Sequence, residues 1–205
     1  MRVCVFTNVG DTPWSFATVP SNAEYCLRHG YSLDVRRMTY DEALASQDVI
    51  LDLLATFDLV WAIDADCLVT NHRQRIEEVP GLGDDCTVCE EGMPWLSWNR
   101  LNCGSVVWRS TAGSRRLLRA MRDARGDWLD RARYPYWTQS WLAEQAERFA
   151  DCLTILPPRA FNSVAWTQDG GGTTWQRGDL VFHPCCYPPE ARFGVLAHKL
   201  QEIIR

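Results

Sequence analysis

The first 66 residues alternate between strand-like and helix-like patterns of apolar positions. Residues 2–8 are typical of a first strand, and residues 31–36 alternate as a second strand does. Between them, Ser21 and Asn22 offer an N-cap for a helix, and Gly30 offers its C-terminal stop. The pattern predicts a β-α-β unit at the start of the chain.

A second helical pattern begins at Asp41 and leads into the apolar strand 58–63. Its apolar positions recur near the helical period, at Leu44, Val49, Leu53 and Leu54. The continuous apolarity of the strand indicates burial on both faces, as in the middle of a parallel sheet. The β-α-β-α-β order predicts an α/β fold with a doubly wound open sheet, whose ligands bind beyond the carboxyl ends of the strands.

The second half of the chain has shorter strand patterns, interrupted by helices. The strands are predicted at Thr87–Cys89, Ser105–Trp108 and Leu153–Leu156, and the helices near 113–125 and 137–150. We find no linker, low-complexity tract or internal repeat in the 205 residues. The chain is therefore predicted to form a single domain.

Composition excludes several classes of protein. The chain contains 10 Trp, 6 Tyr and 7 Phe, an aromatic content that disordered chains lack. Its longest apolar runs are far shorter than the roughly 18 residues that a membrane span needs. The N-terminus begins with a strand pattern and shows no export signal, so we expect a soluble, cytoplasmic protein without a membrane span.

The net charge of −5 conceals an uneven distribution. In the segment Arg109–Arg133, eight Arg stand against three Asp, so it carries +5 and the other residues carry −10. The helix predicted at 113–125 displays Arg115, Arg119 and Arg122 opposite an apolar stripe. This Arg-rich segment is either a solvated helix face or a surface that attracts an anionic partner.

The nine cysteines are expected to be reduced thiols, several of them small apolar core residues. Cys86 and Cys89 have a zinc-like spacing, and Cys185 and Cys186 offer a second pair. In a strand, however, residues three apart point to opposite faces. The pattern therefore disfavours a structural zinc site without excluding it.

The triplet Asp64-Ala65-Asp66 carries the clearest sign of chemistry. Two carboxylates at the end of a buried strand are costly unless a cation neutralises them. Oxygen ligands suit Mg²⁺ or Mn²⁺, especially where phosphate oxygens also bind. The triplet predicts a divalent cation site at the ligand-binding edge of the sheet.

Four further segments follow in a fixed order: Asn102-Cys103-Gly104, Glu144-Gln145 in a helix, Phe161-Asn162-Ser163, and a short strand that ends at His183. With the Asp-x-Asp triplet, this series resembles the GT-A glycosyltransferases, and most of all their compact retaining families of α-galactosyl-, xylosyl- and mannosyltransferases. The resemblance implies one domain with a Rossmann-like open mixed sheet flanked by helices. Within it, residues 1–66 would form the nucleotide-binding half and 67–205 the half that binds sugar and acceptor.

The resemblance also implies roles for individual residues. Asp64 and Asp66 look like the metal-binding pair, with Asp66 as a direct ligand and Asp64 also near the donor ribose. His183 would complete the metal shell as a neutral imidazole. The base and ribose of the donor would lie against the first strand, at Phe6, Thr7 and Asn8.

The sugar end of the site is implied in the same way. Asn102 and Gly104 resemble residues that border the sugar pocket, while Glu144 and Gln145 match a pair that faces the anomeric carbon or the acceptor. The family's diphosphate-binding lysine is replaced by proline here, and Arg192 or Lys199 would take its place. Of four tryptophans near these segments, we expect one or two to line the pocket. They are Trp95, Trp98, Trp137 and Trp141.

The implied function is metal-dependent transfer of a sugar, hexosyl or pentosyl, from a nucleotide-diphosphate sugar such as a UDP-sugar, with retention. Mn²⁺ or Mg²⁺ would stabilise the leaving diphosphate, and a carboxylate or amide oxygen would stabilise the electron-poor sugar. The acceptor is a hydroxyl of a glycan, a lipid or a hydroxymethylated base in DNA.

Two alternatives come from the residues themselves. The Arg-rich segment and the tryptophans are compatible with a non-enzymatic nucleic-acid-binding module. That reading leaves Asp64, Asp66 and His183 unexplained. A haloacid-dehalogenase-type phosphatase also carries an Asp-x-Asp motif, but it requires Thr or Val where Leu68 stands and a lysine in mid-chain, whereas the chain's single lysine is Lys199.

Overall fold

The chain begins with the predicted alternation of strands and helices. These elements are β1 (Val3–Val9), α1 (Ser15–His29), β2 (Ser32–Arg37), α2 (Ser46–Thr56) and β3 (Leu59–Ile63). Both neighbours of β1, which are β2 and β3, run parallel to it. The predicted β-α-β-α-β half is therefore confirmed, with the carboxyl ends of its three strands at one edge.

The computed structural model describes residues 1–10, 12–39, 46–96, 100–130, 132–168 and 171–204. Three residues named in the sequence analysis lie outside the described residues: Asp41 and Leu44 of the second predicted helix, and Trp98. So does Arg131, one of the eight arginines of the Arg-rich segment.

The rest of the chain adds seven strands and four helices to the described structure. The strands are β4 (Leu68–Val69), β5 (Cys86–Glu90), β6 (Leu101–Arg109), β7 (Leu153–Leu156), β8 (Ser163–Trp166), β9 (Gly172–Thr173) and β10 (Val181–Cys186). The helices are α3 (Ala112–Asp123), α4 (Arg125–Trp128), α5 (Trp137–Gln145) and α6 (Pro189–Ile204). Short 3₁₀ turns lie at Ile76–Glu78, Pro94–Leu96 and Pro158–Ala160.

The strands form two sheets. The larger has six strands in the order β2-β1-β3-β6-β5-β7, and the smaller has four in the order β4-β10-β8-β9. In the larger sheet β6 runs antiparallel to both neighbours, while the other pairs are parallel. The result is the open mixed α/β sheet expected from the resemblance.

Core residues cover both faces of the larger sheet. On one face, Phe6 and Val60 pack with apolar residues of α2, α3 and α5. On the other face, Val5 and Trp61 pack with Tyr25 of α1 and with the segments that follow β3. The buried indole of Trp61 donates from Nε1 to Ser105 Oγ at 2.8 Å, so its polar atom is satisfied. The continuous apolarity of the third strand thus reflects burial on both faces, as predicted.

The first helix differs from its predicted limits. It begins at Ser15, before the predicted N-cap, and Ser21 and Asn22 lie inside it. Their side chains are buried because they bond to the segment after β3: Ser21 Oγ donates to Val69 O at 3.1 Å, and Asn22 Nδ2 donates to Cys67 O at 3.2 Å. These polar residues tie α1 to β4 and do not cap a helix.

The limits of two other elements also differ from the predicted ones. The strand predicted at Ser105–Trp108 begins at Leu101, so Asn102 and Gly104 lie within the strand and not in a turn before it. The helix predicted near 137–150 ends at Gln145.

The amphipathic helix is α3, with Leu117, Leu118 and Met121 buried as predicted. Its N-cap is Thr111, whose Oγ1 accepts from the Ser114 N–H at 3.2 Å. None of the helices in the described residues combines the length and the apolar character that a membrane crossing requires.

Candidate active site

A cavity of about 880 Å³ opens at the carboxyl ends of β1 and β3. This is the edge at which open α/β sheets bind ligands, and the volume lies within the range of small-molecule sites. Its walls come from β1, the triplet after β3, α2, α5 and the start of α6. Polar lining residues include Asn8, Thr12, Gln47, Asp64, Asp66, Thr138, Gln139 and Arg192.

A tight turn separates the two carboxylates of the triplet. The Asp64 N–H donates to Gly104 O at 2.8 Å, which extends the pairing of β3 with β6, and the Cys67 N–H then donates to Asp64 O at 2.9 Å. The Asp64 side chain is accessible from the cavity, whereas Asp66 is buried. Removal of bulk water by the surrounding protein, together with the charge of Asp66, raises the pKa of Asp64 to about 6.

The pairing of β4 with β10 places His183 beside Asp66. Leu68 pairs with Phe182 in antiparallel register, so the residues preceding Leu68 meet the residue that follows Phe182. His183 Nε2 lies 3.4 Å from Asp66 Oδ1, and both side chains are buried. The thiol of Cys67 joins them: one ligand atom each of Asp66, Cys67 and His183 lies within 4.8 Å of the other two.

Arg192 of α6 provides the positive charge at this end of the cavity. Its Nη1 lies 2.8 Å from Asp66 Oδ2, and its Nη2 donates to the carbonyls of Cys185 and Tyr187 at 3.1 and 2.9 Å. The guanidinium carbon is 4.9 Å from the ring centroid of Trp14. Burial raises the pKa of Asp66, but the charges of His183 and Arg192 outweigh it and hold that pKa below its usual value.

A chain of side-chain hydrogen bonds leads from His183 into the protein. His183 Nδ1 lies 3.0 Å from Asn162 Oδ1, and Asn162 Nδ2 donates to Asn102 Oδ1 at 2.8 Å. Asn102 Nδ2 in turn donates to Glu91 Oε2 at 3.1 Å. Since an amide oxygen only accepts, Nδ1 carries a proton. Burial lowers the pKa of His183, but the neighbouring Cys67 and Asp66 outweigh it and hold that pKa well above its usual value. The lone pair of Nε2, which faces Asp66, becomes available to a ligand once the Nε2 proton leaves.

Gly104 leaves room for this imidazole. A Cβ at position 104 would lie 2.1 Å from His183 Cε1 and 2.6 Å from Nδ1. The absence of a side chain on β6 is therefore what allows the ring to pack against the strand. Asn102 and Gly104, which the resemblance placed at the sugar pocket, instead orient and accommodate His183.

The first strand presents alternate residues to the cavity. Phe6 and Asn8 line it, while Thr7 lies between them and is not among the described lining residues. Asn8 Oδ1 and Thr12 Oγ1 are buried and have no hydrogen-bond partner in the described part of the chain. Buried polar atoms rarely stay unpaired, so this end of the cavity offers hydrogen bonds to a ligand.

The N-terminus of α5 forms the opposite wall. Tyr136, Trp137, Thr138 and Gln139 line the cavity, and Gln139 Oε1 accepts from the Cys103 N–H at 2.9 Å. Trp137 has φ of 46°, a left-handed conformation that is costly for a bulky residue and is concentrated at functional sites. Of the other tryptophans that were predicted near the pocket, Trp95 packs against Trp166 and Trp141 against Phe149.

Three predicted site residues lie away from both the cavity and the Asp66–His183 pair. Glu144 pairs with Arg133, at 3.0 Å from Oε1 to Nη2, and accepts from the hydroxyl of Tyr134. Gln145, next to it, contacts Arg148. Lys199 lies 3.7 Å above the ring of Trp175 and pairs with Glu202. Arg192, the other candidate for the missing lysine, is the one that the structure brings to the site.

Some arginines of the Arg-rich segment have partners within the protein. Arg116 pairs with Asp151, and Arg122 with Asp48 and Asp123. Arg115 donates to the carbonyl of Leu54 at 2.7 Å. Because these guanidinium groups already have partners, they offer less charge to a phosphate backbone than the sequence indicates.

The cysteines do not assemble the zinc site considered from their spacing. Cys86 packs on the α3 face of the larger sheet and Cys89 on the opposite face, as expected for a strand. Among the described residues, Cys86, Cys89, Cys185 and Cys186 form no group of three or more metal ligands.

Sequence reasoning missed Cys67, Gln139 and the bridging role of Asn162. Cys67 directly follows the Asp-x-Asp triplet, and its thiol was an available signal for a third ligand. Gln139 and Asn162 gave no such signal, because their positions depend on the packing of α5 and β8 against β6.

Comparisons with known proteins are consistent with this architecture. No protein-family model matches the sequence, and no curated protein matches it significantly. Among solved structures, a glycosyltransferase involved in the glycosylation of the major capsid of PBCV-1 superimposes with a TM-score of 0.75 and 16% identity, over 97% of this chain and 100% of that one. The apo structure of the bifunctional glycosyltransferase WbbM superimposes with a TM-score of 0.61 at 12% identity, over 99% of this chain and 51% of that one.

The galactosyltransferase LgtC, in complex with donor and acceptor sugar analogues, gives a TM-score of 0.53 at 13% identity, over 95% of both chains. At such identities the likeness shows the fold. The chain has the GT-A-type fold of these glycosyltransferases, as the series of motifs implied.

Proposed function

We propose that the protein is a metal-dependent glycosyltransferase that moves a sugar from a nucleotide-diphosphate sugar to a hydroxyl acceptor. The observation that carries the proposal is the pair Asp64 and Asp66 on one cavity at the ligand-binding edge of a GT-A-type sheet, with His183 buried 3.4 Å from Asp66. Residues 1–66 supply the nucleotide end of this cavity, and residues 67–205 supply the end for sugar and acceptor.

The nucleotide end binds the base and ribose of the donor, which we take to be a UDP-sugar. Asn8 Oδ1 and Thr12 Oγ1 are the unpaired polar atoms there, and Phe6 offers an apolar surface beside them. A carbonyl-type oxygen such as Asn8 Oδ1 accepts from an N–H of the base. Asp64, at the cavity surface, is placed to accept from a ribose hydroxyl.

The diphosphate end has the residues that a divalent cation requires. Asp66 offers a carboxylate oxygen, and His183 offers Nε2 once its proton has left, with the ring oriented by the Asn162 hydrogen bond at Nδ1. A bound cation would stabilise the negative charge that develops on the leaving diphosphate. Arg192 holds the second oxygen of Asp66 and adds positive charge to the same wall of the cavity.

The sugar end favours retention. Among the described lining residues, the carboxylates are Asp64 and Asp66, both at the metal end, so no separate carboxylate is available as a base for inversion. Gln139 presents an amide to this region in the place for which Glu144 and Gln145 were predicted. Its oxygen is suited to an electron-poor anomeric carbon once its bond to the Cys103 N–H is released.

For the acceptor we propose a glycan hydroxyl and a hexosyl donor. The PBCV-1 structure belongs to an enzyme involved in capsid glycosylation, and LgtC is a galactosyltransferase. The ion pairs of Arg116 and Arg122 with carboxylates weaken the argument for a DNA acceptor.

The test is turnover of UDP-sugars, as hydrolysis and as transfer to a panel of oligosaccharides, with Mg²⁺, Mn²⁺, Co²⁺ or Zn²⁺ and with chelator. We expect metal-dependent release of UDP by the wild type and a loss of at least about 100-fold in Asp66→Asn, because a ligand is removed. Asp127→Ala, an exposed residue outside the cavity, is the matched control. Full activity of folded Asp66→Asn with chelator would contradict the proposal.

A further inference from the structure

The thiol of Cys67 lies where a third metal ligand would lie. Its Sγ, a carboxylate oxygen of Asp66 and a ring nitrogen of His183 are mutually within 4.8 Å, and all three residues are buried. Buried Cys, His and Asp in such proximity are the donor types that proteins use for zinc.

Each of the three groups also has a partner on its far side. Asp66 Oδ2 is held by Arg192 Nη1 at 2.8 Å, and His183 Nδ1 by Asn162 Oδ1 at 3.0 Å. This leaves Oδ1 and Nε2 facing each other. Such outer partners fix the orientation of ligands in metal sites, and here they hold the ligands through contacts of the protein itself.

The position of Cys67 is fixed by its backbone. Its N–H donates to Asp64 O at 2.9 Å, and its carbonyl accepts from Asn22 Nδ2 at 3.2 Å. Its thiol donates to Gly104 O at 3.1 Å. The backbone therefore holds the thiol beside Asp66 and His183, and the S–H proton is the one that a metal would replace on this side chain.

We propose that Cys67 is a thiolate ligand, so that the Asp66–Cys67–His183 site selects Zn²⁺ or Co²⁺ over Mg²⁺. This rests on the function proposed above, since it specifies the cation of the same site. Thiolate and imidazole favour these ions, whereas Mg²⁺ takes oxygen ligands. Three protein ligands would leave a fourth position for a donor oxygen, as in catalytic zinc sites, and Asp66 is the one of the three residues that lines the cavity.

The exchange is balanced in protons and charge. The S–H bond of Cys67 and the Nε2–H bond of His183 break, both protons pass to the buffer, and the sulfur and the nitrogen form the bonds to the metal. With neutral His183, the charges of the thiolate and Asp66 offset those of the cation. The positive charge of Arg192 then remains for the diphosphate.

Co²⁺ titration of the metal-free, full-length protein tests the proposal without any sugar donor. We expect one equivalent of Co²⁺ to produce a near-ultraviolet sulfur-to-cobalt charge-transfer band, and Mg²⁺ in large excess to leave it unchanged. Cys67→Ser should abolish the band and weaken Zn²⁺ binding, measured by chelator competition, by at least about 100-fold, more than loss of an outer partner costs.

Cys103→Ser is the matched control, because Cys103 lines the same cavity but lies outside the group of three. It should keep both the band and the affinity. Loss of the band in Cys103→Ser with its retention in Cys67→Ser would overturn the assignment. If Cys67→Ser does not fold, X-ray absorption spectroscopy of the wild-type protein loaded with zinc decides. One sulfur ligand at about 2.3 Å would support the proposal, and a shell of nitrogen and oxygen ligands alone would contradict it.

The outcome is separable from that of the proposed function. Metal-dependent sugar transfer without a cobalt–sulfur band would refute the thiolate ligand alone. A band that depends on Cys67, in a protein that releases UDP from no sugar nucleotide, would refute the proposed function and leave the metal site standing.

Discussion

Gly104 and His183 lie so close together that a side chain at position 104 would not fit beside the imidazole. Gly104→Ala would place a Cβ 2.1 Å from His183 Cε1, while the backbone of residue 104 is held by the bond from the Asp64 N–H. The imidazole must therefore move and lose its bond to Asn162. We expect kcat/KM for the sugar nucleotide to fall by about 100-fold, since small misplacements of reacting groups cost that much.

Gly126→Ala is the control for this variant. A Cβ at that helical position meets nothing within 4 Å, so activity should be unchanged and stability equal or slightly higher. Wild-type activity in Gly104→Ala would show that the position of His183 does not matter for turnover.

We expect Asn162 to act on a bound cation through His183. Its Oδ1 accepts from Nδ1–H, and removal of the amide would free the ring to rotate and take away one of the two donors to Asn102 Oδ1, the other being the Gly104 N–H. Asn162→Ala should weaken divalent-metal affinity by about 10- to 100-fold, as outer partners do elsewhere. Chelator competition measures this directly, and Asn71→Ala, an asparagine bonded to Gly178 O outside the cavity, should leave the affinity unchanged.

At the scale of elements, the pairing of β10 with its neighbours depends on a buried carboxylate. Asp179 precedes β10, and Arg159, Ser163 Oγ and the Gln176 N–H all donate to it. Burial raises the pKa of Asp179, but these donors outweigh it and hold that pKa below its usual value of 3.8. Its ionised form is therefore favoured by the folded state.

Asp179→Ala should lower the free energy of unfolding at pH 7 by about 2–3 kcal/mol, because the donors lose a charged acceptor. The difference from wild type is fully present above the unfolded pKa and shrinks as the pH falls through the lower folded pKa. Urea unfolding at neutral pH and at about pH 3 measures both values. An equal difference at the two pH values would contradict the role of the ionised carboxylate.

The elements also show where sequence patterns suffice and where they do not. The apolar run before Asp64 identified β3 and the ligand-binding edge, because burial on both faces leaves a local signature. Glu144 and Gln139 are five positions apart on α5, about 140° around a helix, so they face different sides. The pattern of α5 could not say which side faced the cavity, since its neighbours come from distant parts of the chain.

At the scale of the whole molecule, the site joins residues more than 110 positions apart. The Asp-x-Asp motif identified Asp66 from the sequence. The positions of its neighbours His183 and Arg192, however, depend on the register of β4 with β10 and on the packing of α6. The resemblance to a family supplied His183, which no local pattern indicates. Arg192 stood as one of two candidates until the packing of the helix distinguished it from Lys199.

We expect each end of the cavity to contribute separately to the stabilisation of the protein by a bound ligand. Ligand at about 100 times its Kd adds about 2.7 kcal/mol, which for a chain of this size raises Tm by about 5–10 °C. We expect UDP with a divalent cation to give such a shift, and uridine a smaller shift that is independent of metal, because it lacks the diphosphate.

The variants divide this effect between the two ends. Asn8→Ala should reduce the shifts of both ligands, since both use the nucleotide end, whereas Asp66→Asn should remove only the metal-dependent part of the UDP shift. Differential scanning fluorimetry at several ligand concentrations measures each one. Loss of the uridine shift in Asp66→Asn would contradict the separation, because the nucleoside would then depend on the metal end of the cavity.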